Sequence, residues 1–502
     1  MTLDRETGSA GDPSPAASAF DPRHFDRYLS VAPEAESFLA GLTTPRPVTV
    51  WSLDRRIDPG IVEATLTEAH GSRENPVARL GWRSMAWRLP DGARPGFGWL
   101  YRSGAIHVQE EASLLPVLLL DPRPGERVLD LCAAPGGKTA QISEALGGRG
   151  TVIANERNAY RTNALRDTVK RLGLLNVTTT VSDGRRLPTT IGTFDAVLVD
   201  APCSSEGTRH GSGASYARTS SAFRDRLERV QLGLLFAAAD LCRPGGRVVY
   251  STCSFAPEEN EAIVDRLLET REDIEVEPFE VPGLTTDPGL VCFESRRLRS
   301  ELRGAIRLWP HRSGTGGFFA VRLRRTGGAP RVEPASIAEV ERVPGLDRAL
   351  EAVSAHFGWP ASVFGGLRFF VRRRQLHALA DDHVALGPPV PSTGGLPLGK
   401  VVPGHLQLST SGILQFGRHA TRHVLELSAD EVRAYHQREE WSIPAARIAL
   451  DQPDSTSRGR GAVIVRHDAV PLGRALLTRV NAEAYRVTSE YPVAWIPGGS
   501  GR

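Results

Sequence analysis

Residues 128–146 contain the feature that most constrains the fold. An apolar run, 128–131, is followed by a loop of small residues, 133–137, then by Lys138 and a helical pattern, 139–146. Strand, Gly-rich turn and helix in this order predict a ligand-binding loop at the carboxyl edge of a parallel sheet. Free N–H groups at the start of the helix favour an anionic group. A turn that only makes a tight bend is the alternative that this stretch alone leaves open.

Further apolar runs separated by helical patterns predict a doubly wound α/β sheet; they lie at 150–155, 177–181, 196–199 and 247–250. Polar residues close three of the predicted strands, namely Glu156, Asp183 and Asp200. The G-x-G-x-x-G fingerprint of dinucleotide enzymes is absent. Glu156 suits a ribose diol, because a carboxylate accepts hydrogen bonds from both hydroxyls, and Asp183 is placed to meet an adenine edge. The pattern predicts an adenosyl ligand without a pyrophosphate, which fits S-adenosylmethionine.

Two turns that carry cysteine follow the loop, DAPC at 200–203 and STC at 251–253. Each ends a predicted strand, so neighbouring parallel strands would bring Asp200, Cys203 and Cys253 to one edge of the sheet. A thiolate there can add to C6 of a cytosine and make C5 nucleophilic, a reaction that also needs an acid near N3 and a proton acceptor. Inert packing is the alternative for a lone cysteine, and we expect it for the side chains of Cys132 and Cys242.

The length of 502 residues predicts about three domains. We expect a disordered tail at 1–19, an N-terminal α+β segment at 20–105, a catalytic domain at 106–325, a linker at 326–342 and a β-rich C-terminal domain at 343–502. No apolar run is as long as a membrane span, and the first residues lack the pattern of a signal peptide, so we expect a cytoplasmic protein. We also expect a monomer. The five cysteines form no C-x-x-C pair, which predicts neither a disulfide framework nor a metal site.

Nearly all of the positive charge is arginine, since the chain has only three lysines. Arginine suits phosphate, although genome base composition also explains such a bias. The stretch 294–307 carries five arginines, for which a phosphate-facing role and a solvated helix face are the two interpretations: Arg296, Arg297, Arg299, Arg303 and Arg307. Aromatic residues among arginines near the N-terminus predict either an RNA-stacking surface or a small core: Trp82, Trp87, Phe97, Trp99 and Tyr101.

Shorter patterns predict the remaining elements. Helices are expected at 23–30, 34–41 and 428–440, and a turn and helix at 106–120. Strands are expected at 48–53, 316–323, 367–372, 462–466 and 493–496.

Three stretches resemble the signature motifs of the NOL/NOP/Sun family of RNA cytosine-5 methyltransferases: VLDLCAAPGGKT at 128–139, DAPCSSEG at 200–207 and YSTCSFAPEENE at 250–261. The similarity continues through 307–323. Residues 461–477 are similar to the terminal, PUA-like RNA-binding domain of bacterial RsmF-type enzymes. The resemblance implies a Rossmann-like methyltransferase sheet with RNA-binding segments on both sides of it.

The resemblance also implies roles for individual residues. Cys253 would attack C6, Cys203 would help to release the product, and Asp200 would meet the N3/N4 edge of the cytosine. The residues implied in binding S-adenosylmethionine are Cys132, Ala133, Ala134, Pro135, Gly136, Gly137, Lys138, Glu156, Asp183 and Asp200. The chain departs from the family pattern at Ser205, where glycine is usual, and at RPVTVWSL, 46–53, which leaves the N-terminal RNA contacts open.

The expected function is methyl transfer from S-adenosylmethionine to C5 of cytosine in RNA. The RsmF-like architecture favours 16S rRNA or the small ribosomal subunit as the substrate, and tRNA is the second candidate. A ribosome-assembly factor that binds RNA without turnover is an alternative, which the intact Cys203 and Cys253 oppose. A DNA methyltransferase is disfavoured, since its motif order and target-recognition region are missing.

Overall fold

A computed structural model describes most of the chain: residues 22–53, 56–208, 221–328, 332, 345–372, 374–384, 386, 392–402, 405–448 and 460–496. The expected tail at 1–19 lies outside these residues, as does most of the expected linker at 326–342.

A small antiparallel sheet with three helices opens the described chain. Its strands are β1 (Val48–Ser52), β2 (Ala78–Arg79), β3 (Ala86–Leu89) and β4 (Ile106–Val108), in the order β2-β3-β1-β4. The helices are α1 (Ala35–Thr43), α2 (Pro59–His70) and α3 (Trp99–Arg102). Pro59 follows the capping residue Asp58, whose side chain accepts a hydrogen bond from the Gly60 N–H, and both features favour a helix start.

The central sheet follows. Its parallel strands are β5 (Arg127–Asp130), β6 (Thr151–Asn155), β7 (Val177–Thr180), β8 (Phe194–Asp200) and β9 (Cys242–Thr252). Six further strands follow β9 among the described residues up to 325: β10 (Ile274–Val276), β11 (Asp287–Pro288), β12 (Cys292–Phe293), β13 (Arg296–Arg297), β14 (Ile306–Leu308) and β15 (Phe318–Arg325). The antiparallel strand β15 pairs with β9, and β12 and β13 form a separate hairpin.

Strand order places the ligand cleft. The parallel strands run β9-β8-β5-β6-β7, so the chain moves outward from β5 in both directions. Loops after β5 and β8 therefore diverge to opposite faces of the sheet and leave a crevice at the carboxyl ends of these strands. Both faces of the sheet are covered, so successive residues of a central strand such as β8 are buried.

Helices pack on the two faces of the central sheet. They are α4 (Leu115–Leu120), α5 (Gly137–Ala145), α6 (Ala159–Arg171), α7 (Ser221–Leu241) and α8 (Glu261–Thr270), whereas the short helix α9 (Pro310–Ser313) packs against α1. One core joins α4, α5 and α6 to the sheet, with Ile142 and Leu165 fully buried. The other joins α7 and α8 to the opposite face, with Leu235 and Ile263 fully buried.

The C-terminal part is β-rich, as predicted, and contains two sheets. The first has the order β16-β17-β19-β20, and the second β21-β23-β24-β25-β22. The strands are β16 (Leu367–Arg372), β17 (Gln375–Ala380), β18 (Ser392–Gly394), β19 (Leu396–Val402), β20 (His405–Leu408), β21 (Val424–Glu426), β22 (Glu440–Pro444), β23 (Arg460–His467), β24 (Val470–Arg479) and β25 (Ala484–Ser489). The helices are α10 (Leu346–Phe357), α11 (Thr410–Phe416) and α12 (Ala429–Gln437). Strand β18 pairs with β7 and so extends the central sheet.

Several local predictions are wrong. The stretch predicted as a strand at 493–496 forms a 3-10 helix, Val493–Trp495, and the helix predicted at 23–30 is the 3-10 helix Pro22–Tyr28. The stretch 294–307 forms no α-helix: it contains β13, a 3-10 helix (Ser300–Gly304) and the start of β14. Short apolar patterns do not distinguish these conformations, because tertiary contacts decide between them.

The five arginines of the stretch 294–307 differ in their exposure and in their partners. Arg307 faces no solvent: it is 1% exposed and forms a bidentate ion pair with Glu261 at 2.6 Å, so its predicted phosphate-facing role is wrong. Arg296 pairs with Asp265 at 3.2 Å. The remaining arginines of the cluster are exposed: Arg297, Arg299 and Arg303.

The N-terminal aromatics form a core rather than an open stacking surface. Trp87 is fully buried, and the Trp82 indole donates to Glu111 at 3.1 Å. Trp99 packs edge-on against His467 of the C-terminal part, with ring centroids 5.1 Å apart. Tyr101 lies under the guanidinium of Arg171. Only Phe97 among the five is exposed, at 57%.

Candidate active site

A cleft of about 800 Å3 opens at the carboxyl ends of the parallel strands. Its lining includes eight of the residues predicted for the site: Cys132, Ala134, Pro135, Glu156, Asp183, Asp200, Cys203 and Cys253. The cofactor loop at 132–138 and the cysteine turns at 200–203 and 251–253 therefore meet in one cavity. Ala133, Gly136, Gly137 and Lys138 complete the loop behind this surface.

The turn after β5 depends on its glycines. Gly136 has φ 110°, a conformation that disfavours any side chain, and a Cβ there would lie 3.0 Å from the Leu165 side chain. A Cβ at Gly184, on the opposite side of the cleft, would lie 2.9 Å from Leu234. Glycine at these two positions therefore lets the turns pack closely against neighbouring side chains.

Two carboxylates lie at the adenosyl end predicted from the sequence. Glu156 follows β6, and its Oε1 accepts the Asn158 N–H at 2.8 Å. Asp183 caps a short 3-10 helix and binds Arg185 through both oxygens, at 2.9 and 2.6 Å. Hydrogen bonds from Arg185 lower the pKa of Asp183 to about 2, so this carboxylate is ionised at neutral pH.

Arg161, which the sequence reasoning missed, stands beside Glu156. Its Nη2 donates to the Ala134 carbonyl at 2.8 Å, and its Nη1 lies 3.4 Å from Glu156 Oε2. One side chain thus ties the carboxylate after β6 to the loop after β5. The spacing of five residues from Glu156, in the first turn of α6, was the available signal.

Cys203 and Cys253 follow the adjacent parallel strands β8 and β9, whose register pairs Asp200 with Ser251. The turns that follow these strands bring the Sγ atoms of Cys203 and Cys253 to 3.3 Å, the distance of a sulfur hydrogen bond. Both side chains are half-buried. The sequence predicts that the two thiols lie at one edge of the sheet, and the structure places them in contact there.

The two thiols differ in their surroundings. A hydrogen bond from Cys203 lowers the pKa of Cys253 against the effect of burial, and Ser205 and the charge of Lys138 lower it further. The same hydrogen bond, together with burial, raises the pKa of Cys203 well above the ordinary thiol value. The surroundings therefore favour loss of the proton at Cys253 and its retention at Cys203.

Asp200 and Lys138 form an ion pair beside the thiols. Lys138 Nζ donates to Asp200 Oδ2 at 2.8 Å, and the Ser251 hydroxyl donates to Oδ1 at 2.8 Å. Burial alone would lower the pKa of Lys138, but attraction and hydrogen bonding to Asp200 raise it above the ordinary value. The lysine is thus a fixed positive charge next to Cys253.

Glu259, a second residue missed from the sequence, joins the two cysteine turns. It accepts the Ser204 N–H at 2.9 Å and the Ser254 hydroxyl at 2.8 Å, and Gln231 of α7 donates to it at 2.9 Å. Because Ser204 follows Cys203 and Ser254 follows Cys253, this buried carboxylate holds both thiols in register.

The other cysteines do not resemble nucleophiles. Burial and the nearby Asp130 raise the pKa of Cys132 well above its usual range. Burial raises the pKa of Cys242 to about 12. Cys292 is exposed on the hairpin strand β12.

Comparison with known proteins agrees with this arrangement. The sequence profile described as "16S rRNA methyltransferase RsmB/F" matches residues 117–324. The tRNA (cytosine(49)-C(5))-methyltransferase of Pyrococcus abyssi is 38% identical over 226 residues, which cover 45% of this chain and 72% of the relative. The ribosomal RNA small subunit methyltransferase F of Erwinia tasmaniensis is 28% identical over 458 residues, 86% of this chain and 91% of the relative.

A solved structure shares the fold. The methyltransferase homolog protein from Pyrococcus horikoshii has 27% sequence identity and a TM-score of 0.52, covering 61% of this chain and 100% of that one.

The doubly wound sheet and its cleft define a methyltransferase that uses S-adenosylmethionine. More particularly, the chain belongs to the RsmB/F family of RNA cytosine-C5 methyltransferases. The predicted fold class, family, enzymatic nature and cofactor are confirmed. Among the described residues, no helix combines the length and apolar character that a membrane span requires.

Proposed function

We propose that this protein methylates C5 of a cytosine in 16S rRNA through a covalent bond between Cys253 and C6. The observation that carries the proposal is the contact between Cys203 and Cys253, whose Sγ atoms are 3.3 Å apart in the cleft of a methyltransferase sheet. A structural pair would not need a lysine–aspartate ion pair beside it or an asymmetric set of charges around the two thiols.

Cys253 begins the reaction as a nucleophile. Its thiolate forms a bond to C6, and the electron pair of the C5–C6 double bond moves into the ring and makes C5 nucleophilic. Lys138 offsets the negative charge that builds up on the ring, and Asp200 accepts from the amino group of the cytosine. When bound, S-adenosylmethionine supplies an electrophilic methyl group that C5 attacks.

Release completes the cycle. The C5 proton leaves to a base, the C5–C6 double bond re-forms, and the Cys253 sulfur departs with its electron pair. Cys203 assists this step, because its hydrogen bond stabilises the departing thiolate. In this proposal Cys203 is needed for release and not for attack.

The cleft also fits the predicted cofactor. Glu156 would hold the ribose hydroxyls and Asp183 the adenine edge, since both are carboxylates that line the cavity. The backbone of the loop from Cys132 to Gly137 would lie against the remainder of the cofactor, and Arg161 would fix this loop to Glu156. The buried Oδ1 of Asn155, in the same lining, has no protein partner among the described residues and is free to accept a hydrogen bond.

We favour rRNA over tRNA because the likeness to the small-subunit enzyme of Erwinia tasmaniensis spans 86% of the chain. The archaeal relative named as a tRNA methyltransferase is similar over only 45% of the chain.

The test maps 5-methylcytosine in rRNA and tRNA from cells that have the gene, lack it, or carry Cys253→Ala. Loss of the same 16S rRNA cytosines in the last two strains is expected. Loss confined to tRNA would show that tRNA is the substrate. Unchanged methylation in every RNA would favour the alternative of an assembly factor that binds RNA without turnover.

A further inference from the structure

Two arginine side chains donate hydrogen bonds to the same hydroxyl at the outer edge of the central sheet. Arg372, at the end of β16, donates through Nη1 to Thr393 Oγ1 at 2.8 Å. Arg166 of α6 donates through Nη2 to the same oxygen at 3.5 Å, and through Nε to Thr179 Oγ1 at 3.3 Å. One arginine comes from the catalytic sheet domain and the other from the C-terminal part, so this contact spans the two.

Neither guanidinium is neutralised within the part of the chain that the structure describes. Arginines of similar position elsewhere have carboxylate partners, as Arg322 has Glu277 and Arg325 has Asp273. By contrast, Arg166 and Arg372 are in no ion pair with a described residue, and their shared acceptor is a neutral hydroxyl. Two like charges held together in this way favour a bound anion.

Electrostatics support this description. Burial lowers the pKa of Arg166, and repulsion by Arg372 lowers it further. The surroundings add more positive charge: Arg374, exposed at the hairpin turn, is close in sequence to Arg372. Lys170 lies one turn along α6 from Arg166, although it pairs with Asp167 at 3.2 Å.

Arg166 lies on helix α6, which begins at the cleft. Asn158, which caps α6, lines the cleft together with Glu156. At about 1.5 Å per residue, Arg166 is about 12 Å along the axis from that cap. Between them Tyr160 presents its ring to solvent and is 84% exposed, an unusual state for an aromatic side chain. Exposed rings of this kind stack on unpaired bases.

We propose that Arg166 and Arg372 clamp one phosphodiester of the RNA strand that flanks the target cytosine, with Tyr160 stacking on a base between this clamp and the cleft. The planar fork of arginine suits two phosphate oxygens, and two forks from different domains fix both the position and the direction of the strand. This inference rests on the proposed function, which supplies the RNA, and adds the path that the RNA takes.

Binding of the full-length protein to single-stranded RNA from the methylated region, measured against salt concentration, tests the clamp. Arg166→Gln and Arg372→Gln should each weaken binding roughly ten-fold, the scale of a lost charged hydrogen bond. The slope of log K against log salt should become less steep by about 0.7, the value for one phosphate of a single strand. Because both residues hold the same phosphate, the double variant should lose little more than either single variant.

Matched variants separate this result from misfolding. Arg123→Gln removes an exposed arginine that precedes the amino end of the central strand β5, and should leave the slope unchanged. The Arg166→Lys/Arg372→Lys variant keeps both charges and should keep the slope. Tyr160→Ala should weaken binding roughly ten-fold without changing the slope, since a ring carries no charge. Unaltered cofactor affinity and melting temperature should accompany every variant.

An unchanged slope in the double variant would overturn the clamp, as would additive changes that indicate two separate phosphates. Calorimetry with inorganic phosphate provides a further arm. If phosphate binding is lost in the double variant while RNA affinity is not, the site serves a free anion and the proposal is wrong. Absence of methyl transfer by the unmodified protein would reject the proposed function instead, because the clamp is judged from binding alone.

Discussion

The Sγ atoms of Cys203 and Cys253 are 3.3 Å apart, and the surroundings of Cys253 favour the thiolate form while those of Cys203 favour the thiol. Attack and release are therefore assigned to different residues. Cys253→Ala should abolish both methyl transfer and any covalent RNA adduct. Cys203→Ala should still attack and methylate but release slowly, so a protein–RNA species should accumulate and survive denaturing electrophoresis.

Both cysteine variants should bind cofactor normally, since neither thiol belongs to the adenosyl end of the cleft. Cys242→Ala is the matched control, because this buried thiol lies outside the cleft lining. Adducts from Cys253→Ala and none from Cys203→Ala would show that the roles are exchanged.

The asymmetry of the thiols also predicts a pH dependence. Only the thiolate reacts with iodoacetamide, so alkylation of Cys253 should rise with pH and reach its midpoint below about 8.5, the value for a free thiol. Cys203→Ala removes the hydrogen bond that lowers the pKa of Cys253, so the midpoint should move upward. Mass spectrometry of the labelled peptides separates Cys253 from the exposed Cys292, and a midpoint that does not move would contradict the donor role of Cys203.

Glu156 provides a test of the cofactor site. Glu156→Ala should weaken S-adenosylmethionine binding by roughly 1–3 kcal/mol, the scale of a lost charged hydrogen bond. Arg161→Gln should weaken it less, because Arg161 positions Glu156 and the Ala134 carbonyl and is not assigned to the ligand. Calorimetry on folded variants measures both, and equal affinity for Glu156→Ala and the unmodified protein would remove Glu156 from the site.

Asp130 should make stability pH-dependent. Burial raises its pKa to about 7, against about 3.9 in an unfolded chain. Between pH 4 and 7 the folded state therefore holds a proton that the unfolded state has released, so this residue makes stability fall as pH rises through that window. Asp130→Asn keeps an acceptor for the Thr139 hydroxyl, which lies 2.6 Å from Asp130 Oδ2, and removes the ionisable group.

The variant should gain stability relative to the unmodified protein by on the order of 1–4 kcal/mol between pH 4 and pH 8. Urea unfolding at several pH values measures the difference, which cancels the titration of all shared groups. Thr139→Val, which removes the hydroxyl and leaves Asp130 ionisable, is the control. A constant difference between Asp130→Asn and the unmodified protein across this range would contradict the assignment.

The sequence was informative where local order determines position. Strand, Gly-rich turn and helix recur at β5 and α5, and the residues that close the strands, Glu156 and Asp200, follow from that alternation. The adjacency of Cys203 and Cys253 also follows, because the ends of parallel strands meet at one edge.

Other contacts depend on long-range packing that no short pattern encodes. Glu259 accepts hydrogen bonds from both cysteine turns, and Gln231 of α7 donates to the same carboxylate from a distant part of the sequence. Ser205 replaces a glycine usual in the family and adopts φ 61°, a conformation that explains the preference for glycine. The substitution is visible in the sequence, but the position of its hydroxyl, 3.9 Å from the Cys203 sulfur, depends on the folded turn.

Arg307 is a further residue whose environment depends on long-range packing. Its guanidinium and the Glu261 carboxylate are both fully buried, and Arg307 also donates to the Phe255 carbonyl at 3.0 Å. Removing one partner leaves a buried charge unpaired, so Arg307→Met should cost roughly 3–5 kcal/mol of unfolding free energy. Arg307→Met/Glu261→Leu removes both charges and should be less destabilised than the single variant.

Arg303→Gln, at an exposed arginine of the same stretch, should change stability by less than about 0.5 kcal/mol. Denaturant unfolding measures all three, and a double variant less stable than Arg307→Met would show that the loss comes from packing and not from an uncompensated carboxylate.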